Sequence, residues 1–232
     1  MNGDNNINNT RSPENKASYT LFKRMLDIIL SVIGIVLLIP LFIAISVVLK
    51  ISDGGYVFFV QERIGMGGKF IKIYKFRTMQ EGSDDICEAL NDDERREYYK
   101  EFRLNDDPRI TATGAFLRKW GLDEIPQLLN IFQGRMSMVG PRPVTEAELS
   151  NYSKEEISLL QSVKPGLMGY WQAYGRDHAG YQNGERQRME LYYIANYSMR
   201  FDIRIFFKTF TAEVVRKEER RRRRQREERN EG

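Results

Sequence analysis

The chain has 232 residues, with 36 Lys and Arg against 32 Asp and Glu, and a formal net charge of +4. A single cysteine, Cys87, and a single histidine, His178, exclude an intrachain disulfide, a cysteine-based zinc site and any multi-histidine metal site. One thiol fits a reducing compartment, and a mean hydropathy of -0.51 describes a chain that mostly faces water.

Residues 1–18 are polar and rich in asparagine, which suggests a disordered leader. Ile28–Leu49 then runs for 22 residues without a charge. As a straight helix this run would measure about 33 Å, enough to cross a hydrocarbon core of roughly 30 Å. Pro40 lies slightly past its middle, where it removes a backbone hydrogen bond and predicts a break. Both flanks are basic, with Lys23 and Arg24 before and Lys50 and Arg63 after, so no charge asymmetry orients a spanning helix. Two topologies fit: a kinked helix that spans, or one that doubles back with both ends on one face. The run is too long for a signal peptide.

Beyond the apolar run, Tyr56–Glu62 and Lys69–Arg77 read as two strands joined by Gly65-Met66-Gly67-Gly68. Alternation places Lys69, Ile71, Ile73, Lys75 and Arg77 on one face of the second strand, bringing two cations together at its end. Residues 80–103 are highly charged with helical spacing and predict an exposed helix or helix pair. Pro126 suits a first helical turn and Gly134 the position after the last, with Leu128, Leu129 and Phe132 as the apolar face. Asp123 and Glu124 therefore sit at or just before a helix start. Acidic residues there cap and stabilise a helix by about 0.5–2 kcal/mol; the same position also suits phosphate chemistry. Arg142 stands between Pro141 and Pro143, which would present its guanidinium rigidly, as an oxyanion clamp needs; the alternative is a surface turn.

His178 reads as a polar loop residue and Cys87 as an inert thiol. Trp171 and Gln172 suit either a pocket wall or core packing, and Arg176 follows a glycine turn as a candidate phosphate or sugar contact. Aromatic residues near Tyr192-Tyr193 and between Phe201 and Phe210 suggest core or an interfacial amphipathic helix. Residues 216–232 hold 9 Lys and Arg and 5 Glu, so the net positive charge resides in this tail. It suits contact with anionic lipid; with no aromatics interleaved for base stacking, nucleic acid is not an expected partner.

Taken in order, Lys23-Arg24-x-x-Asp27 before a proline-broken apolar run, QERIGMGGKFIKIYKFRTM, DPRITATGAFLRKWGLDEIPQLLNIFQGRMSMVGPRP, KPGLMGYWQAYGRD and YYIANYSMRFDIRIFFKT resemble a known family. The chain is similar, over residues 20–210, to bacterial sugar transferases of the small monotopic polyprenyl-phosphate phosphoglycosyl transferase type. That resemblance implies an α/β fold: a small sheet with a β-hairpin, covered by helices lying partly on the membrane, and one N-terminal re-entrant helix. Its domains would be a leader (1–18), the helix broken near Pro40 (19–50), a cytoplasmic transferase domain (51–212) and a basic tail (213–232). It implies Asp123 as nucleophile, Glu124 with Asp123 as ligands of Mg²⁺, and Arg142 as a phosphate ligand, with Lys75 and Arg77 directed to the diphosphate. Lys23, Arg24, Asp27 and Pro40 would belong to the membrane element.

The implied reaction transfers a sugar-1-phosphate from a UDP-sugar to polyprenyl phosphate with release of UMP. It would take place at the cytoplasmic face of a bacterial inner membrane, as the first membrane step of glycan synthesis. An aspartate is ionised at neutral pH and needs no general base, in keeping with a chain so poor in histidine. The family often has serine before the proline where this chain has Ile39, and an acidic residue where it has Arg135. A non-catalytic membrane-anchored regulator and a UDP-releasing glycosyltransferase are the rival readings. The sequence leaves a homo-oligomer, the sugar and the glycan pathway open.

Overall fold

The computed structural model describes residues 13–83, 85–104, 106–175, 179–209 and 211, with side chains from Ala17 onward. Most of the leader, the basic tail, Arg176 and His178 lie outside the described residues.

Helix α1, Pro13–Ser52, is one continuous helix of 40 residues. It starts inside the expected leader, because a proline is suited to a first helical turn. It also carries Pro40 within it, so the expected interruption of the backbone is absent; a proline's φ suits a helix, and its cost is a lost hydrogen bond that packing can offset. Ala17–Ser52 is long and apolar enough to cross a membrane, with a mean hydropathy of 3.2 in its most apolar window. Asp27, Ser31, Ile45 and Leu49 are buried, and Gly34, Ile35, Leu38 and Phe42 are half-buried between them. This stripe keeps helical spacing on both sides of Pro40. The opposite side exposes Leu21, Met25, Val36, Ile43 and Val47.

The stripe is docked along its whole length. Near the start, Lys23 and the Tyr19 hydroxyl donate to Asp202, Arg24 donates to the carbonyls of Ile131 and Phe132, and Asp27 accepts from Ser137 and Met138. In the middle, a side chain at Gly34 would come within 3.0 Å of Leu128. Toward the end, Phe42 packs on Phe58 and Phe76, Ile45 and Leu49 enter a core with Phe76 and Leu117, and Ser52 pairs with Thr113. Lys23, Arg24 and Asp27, expected as membrane residues, are therefore docking contacts to the domain.

Strands β1 (Phe58–Ile64) and β2 (Phe70–Phe76) form an antiparallel hairpin through a short 3-10 turn, Met66–Gly68. Phe59 pairs with Lys75, Gln61 with Ile73 and Arg63 with Ile71, so Arg63, Ile73 and Lys75 share a face. The charged insert is a helix pair, α2 (Ile86–Ala89) and α3 (Asp92–Glu101). Helix α4 (Ala112–Trp120) ends at Gly121, whose φ of 66° reverses the chain into the 3-10 turn Leu122–Glu124 and then α5 (Gln127–Phe132).

A second sheet pairs β3 (Ser137–Val139) with β4 (Gly166–Met168) in parallel. The expected small sheet is thus two separate two-stranded sheets, because the two added strands are only three residues each and pair with one another. Gly140 and Gly166 cross so closely that a side-chain carbon on Gly166 would lie 2.1 Å from the Gly140 nitrogen. Helices α6 (Lys154–Leu160), α7 (Tyr170–Tyr174) and α8 (Glu185–Asn196), with helical residues 199–209, surround a core that includes Val139, Val144, Leu160, Tyr193 and Ile205.

Candidate active site

The Asp123–Glu124 pair is aimed by two local devices. The left-handed Gly121 turns the chain back after α4, and Asn130 anchors α5 against the edge of β2. Asn130 is fully buried; its amide donates to the Lys72 carbonyl at 2.6 Å and accepts from the Tyr74 amide at 3.0 Å. With α5 fixed there, Glu124 Oε1 lies 3.6 Å from Lys75 Nζ.

Arg142 is brought in from the other side. Gly140 donates to the Met168 carbonyl and Gly166 to the Pro141 carbonyl, stitching the Pro-Arg-Pro segment onto β4. Arg63 donates to the Pro143 carbonyl at 3.3 Å and pairs with Glu148. The result is a cleft whose polar wall is Arg63, Lys75, Glu124, Gln127, Arg142 and Gln172. Asp123 is only 8% exposed and does not line that wall.

The charges act strongly on one another at this depth. Burial and the neighbouring Glu124 raise the Asp123 carboxyl above its ordinary range, while Lys75 and Arg118 pull it back. Burial lowers Lys75, against the pull of Glu124. Burial disfavours the Arg142 cation, but Glu148, Glu124, Tyr181 and Glu190 together raise it. Its Nε has no hydrogen-bond partner among the described residues. Three cations around a carboxylate pair make a site suited to a polyanion.

A sequence profile described as bacterial sugar transferase matches residues 18–216. The chain belongs to the bacterial sugar transferase family. Among its relatives, the exopolysaccharide production protein ExoY of Rhizobium meliloti is 44% identical over 82% of this chain and 84% of its own. The undecaprenyl-phosphate galactose phosphotransferase of Salmonella typhimurium is 39% identical over 84% of this chain and 40% of its own longer one. The UDP-glucose:undecaprenyl-phosphate glucose-1-phosphate transferase of Escherichia coli is 37% identical over 85% and 41%. The phosphoglycosyl transferase class expected from the sequence is the class that the names of the latter two relatives describe.

In this sugar transferase Asp123, Glu124, Lys75 and Arg142 come together, as the motifs suggested. Arg77 does not join them. It is buried beyond the end of β2, where it donates to the carbonyls of Asp53 and Gly54 and lies 3.5 Å from Glu81. Arg176 lies outside the described residues. Trp171 is buried and donates to the Ala179 carbonyl, so it packs, while Gln172 lines the cleft.

Sequence reading missed Arg118, Arg63 and Glu190. Arg118 is held by the Thr78 hydroxyl at 2.8 Å, and its charge acts on Asp123. Only its place one helical turn before the glycine reversal could have pointed to it. Glu190 accepts from the Arg142 amide at 3.1 Å, across 48 residues of sequence.

Proposed function

We propose that this enzyme transfers a sugar-1-phosphate from a UDP-sugar to a polyprenyl phosphate through a covalent phosphosugar on Asp123. A carboxylate pair, Asp123 buried and Glu124 half-buried, among the charges of Lys75, Arg118 and Arg142 carries the reading. The Asp123 carboxylate attacks the sugar-bearing phosphorus, the bond to the bridging oxygen breaks, and UMP leaves with the electron pair. An oxygen of the polyprenyl phosphate then attacks the same phosphorus, and the acyl-phosphate bond to Asp123 breaks to restore the carboxylate. Lys75 and Arg142 offset the diphosphate charge that would otherwise repel an anionic nucleophile, and they hold the phosphorus in line. No step requires a histidine.

Asp123 and Glu124 fit a role as ligands of Mg²⁺. They are hard oxygen donors, and their mutual repulsion, which raises Asp123, is relieved by a divalent cation. Among the described residues no group of three or more His, Cys, Asp or Glu could hold a metal; an ion bound by one or two carboxylates and substrate phosphates needs no such cage. When bound, it supplies charge neutralisation at the diphosphate.

The docking of α1 supports a membrane placement. A spanning helix would carry one of its ends across the bilayer, away from the domain, yet contacts to the same domain run from Tyr19 to Ser52. We read the helix as entering the membrane by its exposed apolar side with both ends on the cytoplasmic face of a bacterial inner membrane. The relatives' names supply undecaprenyl phosphate as the acceptor, and galactose or glucose as the sugar.

Because Glu124, not Asp123, stands on the cleft wall, a second reading makes Glu124 the nucleophile. One experiment separates the two. The enzyme is given labelled UDP-glucose and UDP-galactose without lipid acceptor; a burst of UMP and label on the peptide at Asp123 are expected. Label on Glu124 selects the second reading, and release of UDP overturns both.

A further inference from the structure

We infer that Glu190 is a positioning residue for Arg142, and that it takes up a proton when a diphosphate enters the cleft. The inference rests on the phosphoglycosyl transferase reading and concerns its binding step.

Pro141 and Pro143 have no backbone N–H, so the Arg142 amide is the one donor through which this three-residue segment can be held from behind. Glu190 Oε2 accepts it at 3.1 Å. The Glu190 side chain is 1% exposed, and its second oxygen has no hydrogen-bond partner among the described residues. One oxygen therefore positions Arg142, and the other is a buried, open site for a proton.

The groups acting on Glu190 come from every side. Arg142 stands in front of it, Arg186 one turn back on its own helix, Glu148 in the 3-10 turn Ala147–Asn151, and the hydroxyls of Tyr152 and Tyr181 beside them. Arg186 lies between the rings of Trp171 and Tyr181 and 3.5 Å from Glu148, so its charge is partly answered already. Arg142 is then the cation whose balance a ligand changes.

Burial pushes the Glu190 carboxyl up to about 7, against the pull of Arg186 and Arg142. A diphosphate held by Arg142 offsets part of that pull, so the protonated form gains. The neutral carboxyl still accepts the Arg142 amide through its carbonyl oxygen and no longer repels the substrate. Reciprocally, acidification through this range tightens substrate binding.

The test is calorimetry of UDP binding to the full chain in micelles, at pH 7.5 and fixed Mg²⁺, in two buffers of different protonation enthalpy. If the bound state moves the carboxyl by about one pH unit, wild type takes up roughly half a proton more than Glu190→Gln. Gln keeps an acceptor for the amide but cannot titrate, so a purely structural role would leave the proton count unchanged. Equal uptake by the two chains overturns the inference. Absence of UDP binding to both overturns the sugar-nucleotide reading on which it rests. Should the variant not fold, infrared difference spectra of wild type must show a protonated-carboxyl band on addition of UDP; no band overturns the inference.

Discussion

Replacing Lys75 by methionine keeps most of the volume and removes the ammonium that lies 3.6 Å from Glu124. Two consequences follow from the geometry. First, the transition state loses one cation directed at the diphosphate. A single such group typically accounts for about 2.7–4 kcal/mol, so turnover should fall by roughly 10²–10³. Second, Asp123 loses one of the two cations that hold its raised carboxyl down. In the proposed mechanism Asp123 must be ionised to attack, so activity should be lost as pH falls through its folded value. Without Lys75 that value rises further, and the acid limb of the rate profile should move toward alkaline pH. The assay is UMP release from a UDP-sugar in single turnover, followed from pH 5 to 9. A normal rate would refute the placement of Lys75 at the diphosphate; a slow rate with an unmoved limb would refute its coupling to Asp123.

Two further outcomes test the docking of α1. Asp27→Ala leaves the Ser137 hydroxyl and the Met138 amide without the buried acceptor that they now reach at 3.0 and 2.9 Å. This should cost about 2–4 kcal/mol, or roughly 5–15 °C in thermal midpoint; an unchanged midpoint would remove Asp27 from the docking contacts. Cysteines placed at Ser18 and Ser52 should be shielded alike from an impermeant thiol reagent in intact cells, and reaction at only one would show a spanning helix.

What the sequence revealed and what it hid divide along a physical line. Asp123, Glu124 and Arg142 stand in local motifs in which a glycine or proline fixes the backbone, so their setting could be read within a few residues. Lys75 followed from alternation with Ile73. The same alternation misplaced Arg77, because β2 ends at Phe76 and the chain turns Arg77 toward the carbonyls after α1. The Lys23-Arg24-x-x-Asp27 cluster read as a membrane flank, since nothing nearby in sequence announces Asp202, Ile131 or Ser137 as its partners. Asn130 and Glu190 were illegible for the same reason: each acts on a backbone group tens of residues away. The second sheet was hidden by its brevity, with three-residue strands too short to show a period.

The inward stripe of α1 makes this helix a wall of the enzyme rather than a tether. Ile45 and Leu49 complete one core with Phe76 and Leu117, while Ile35 and Leu38 close another over Ile73, Leu128 and Ile131. A chain shortened past residue 52 would not yield a soluble catalytic head, because the strand bearing Lys75 and the helix behind Asp123 would lose their shared cover. Exchanging α1 for an unrelated hydrophobic segment would restore an apolar helix but not that cover. Docking of α1 and assembly of the two cores around the candidate pocket are thus one folding event.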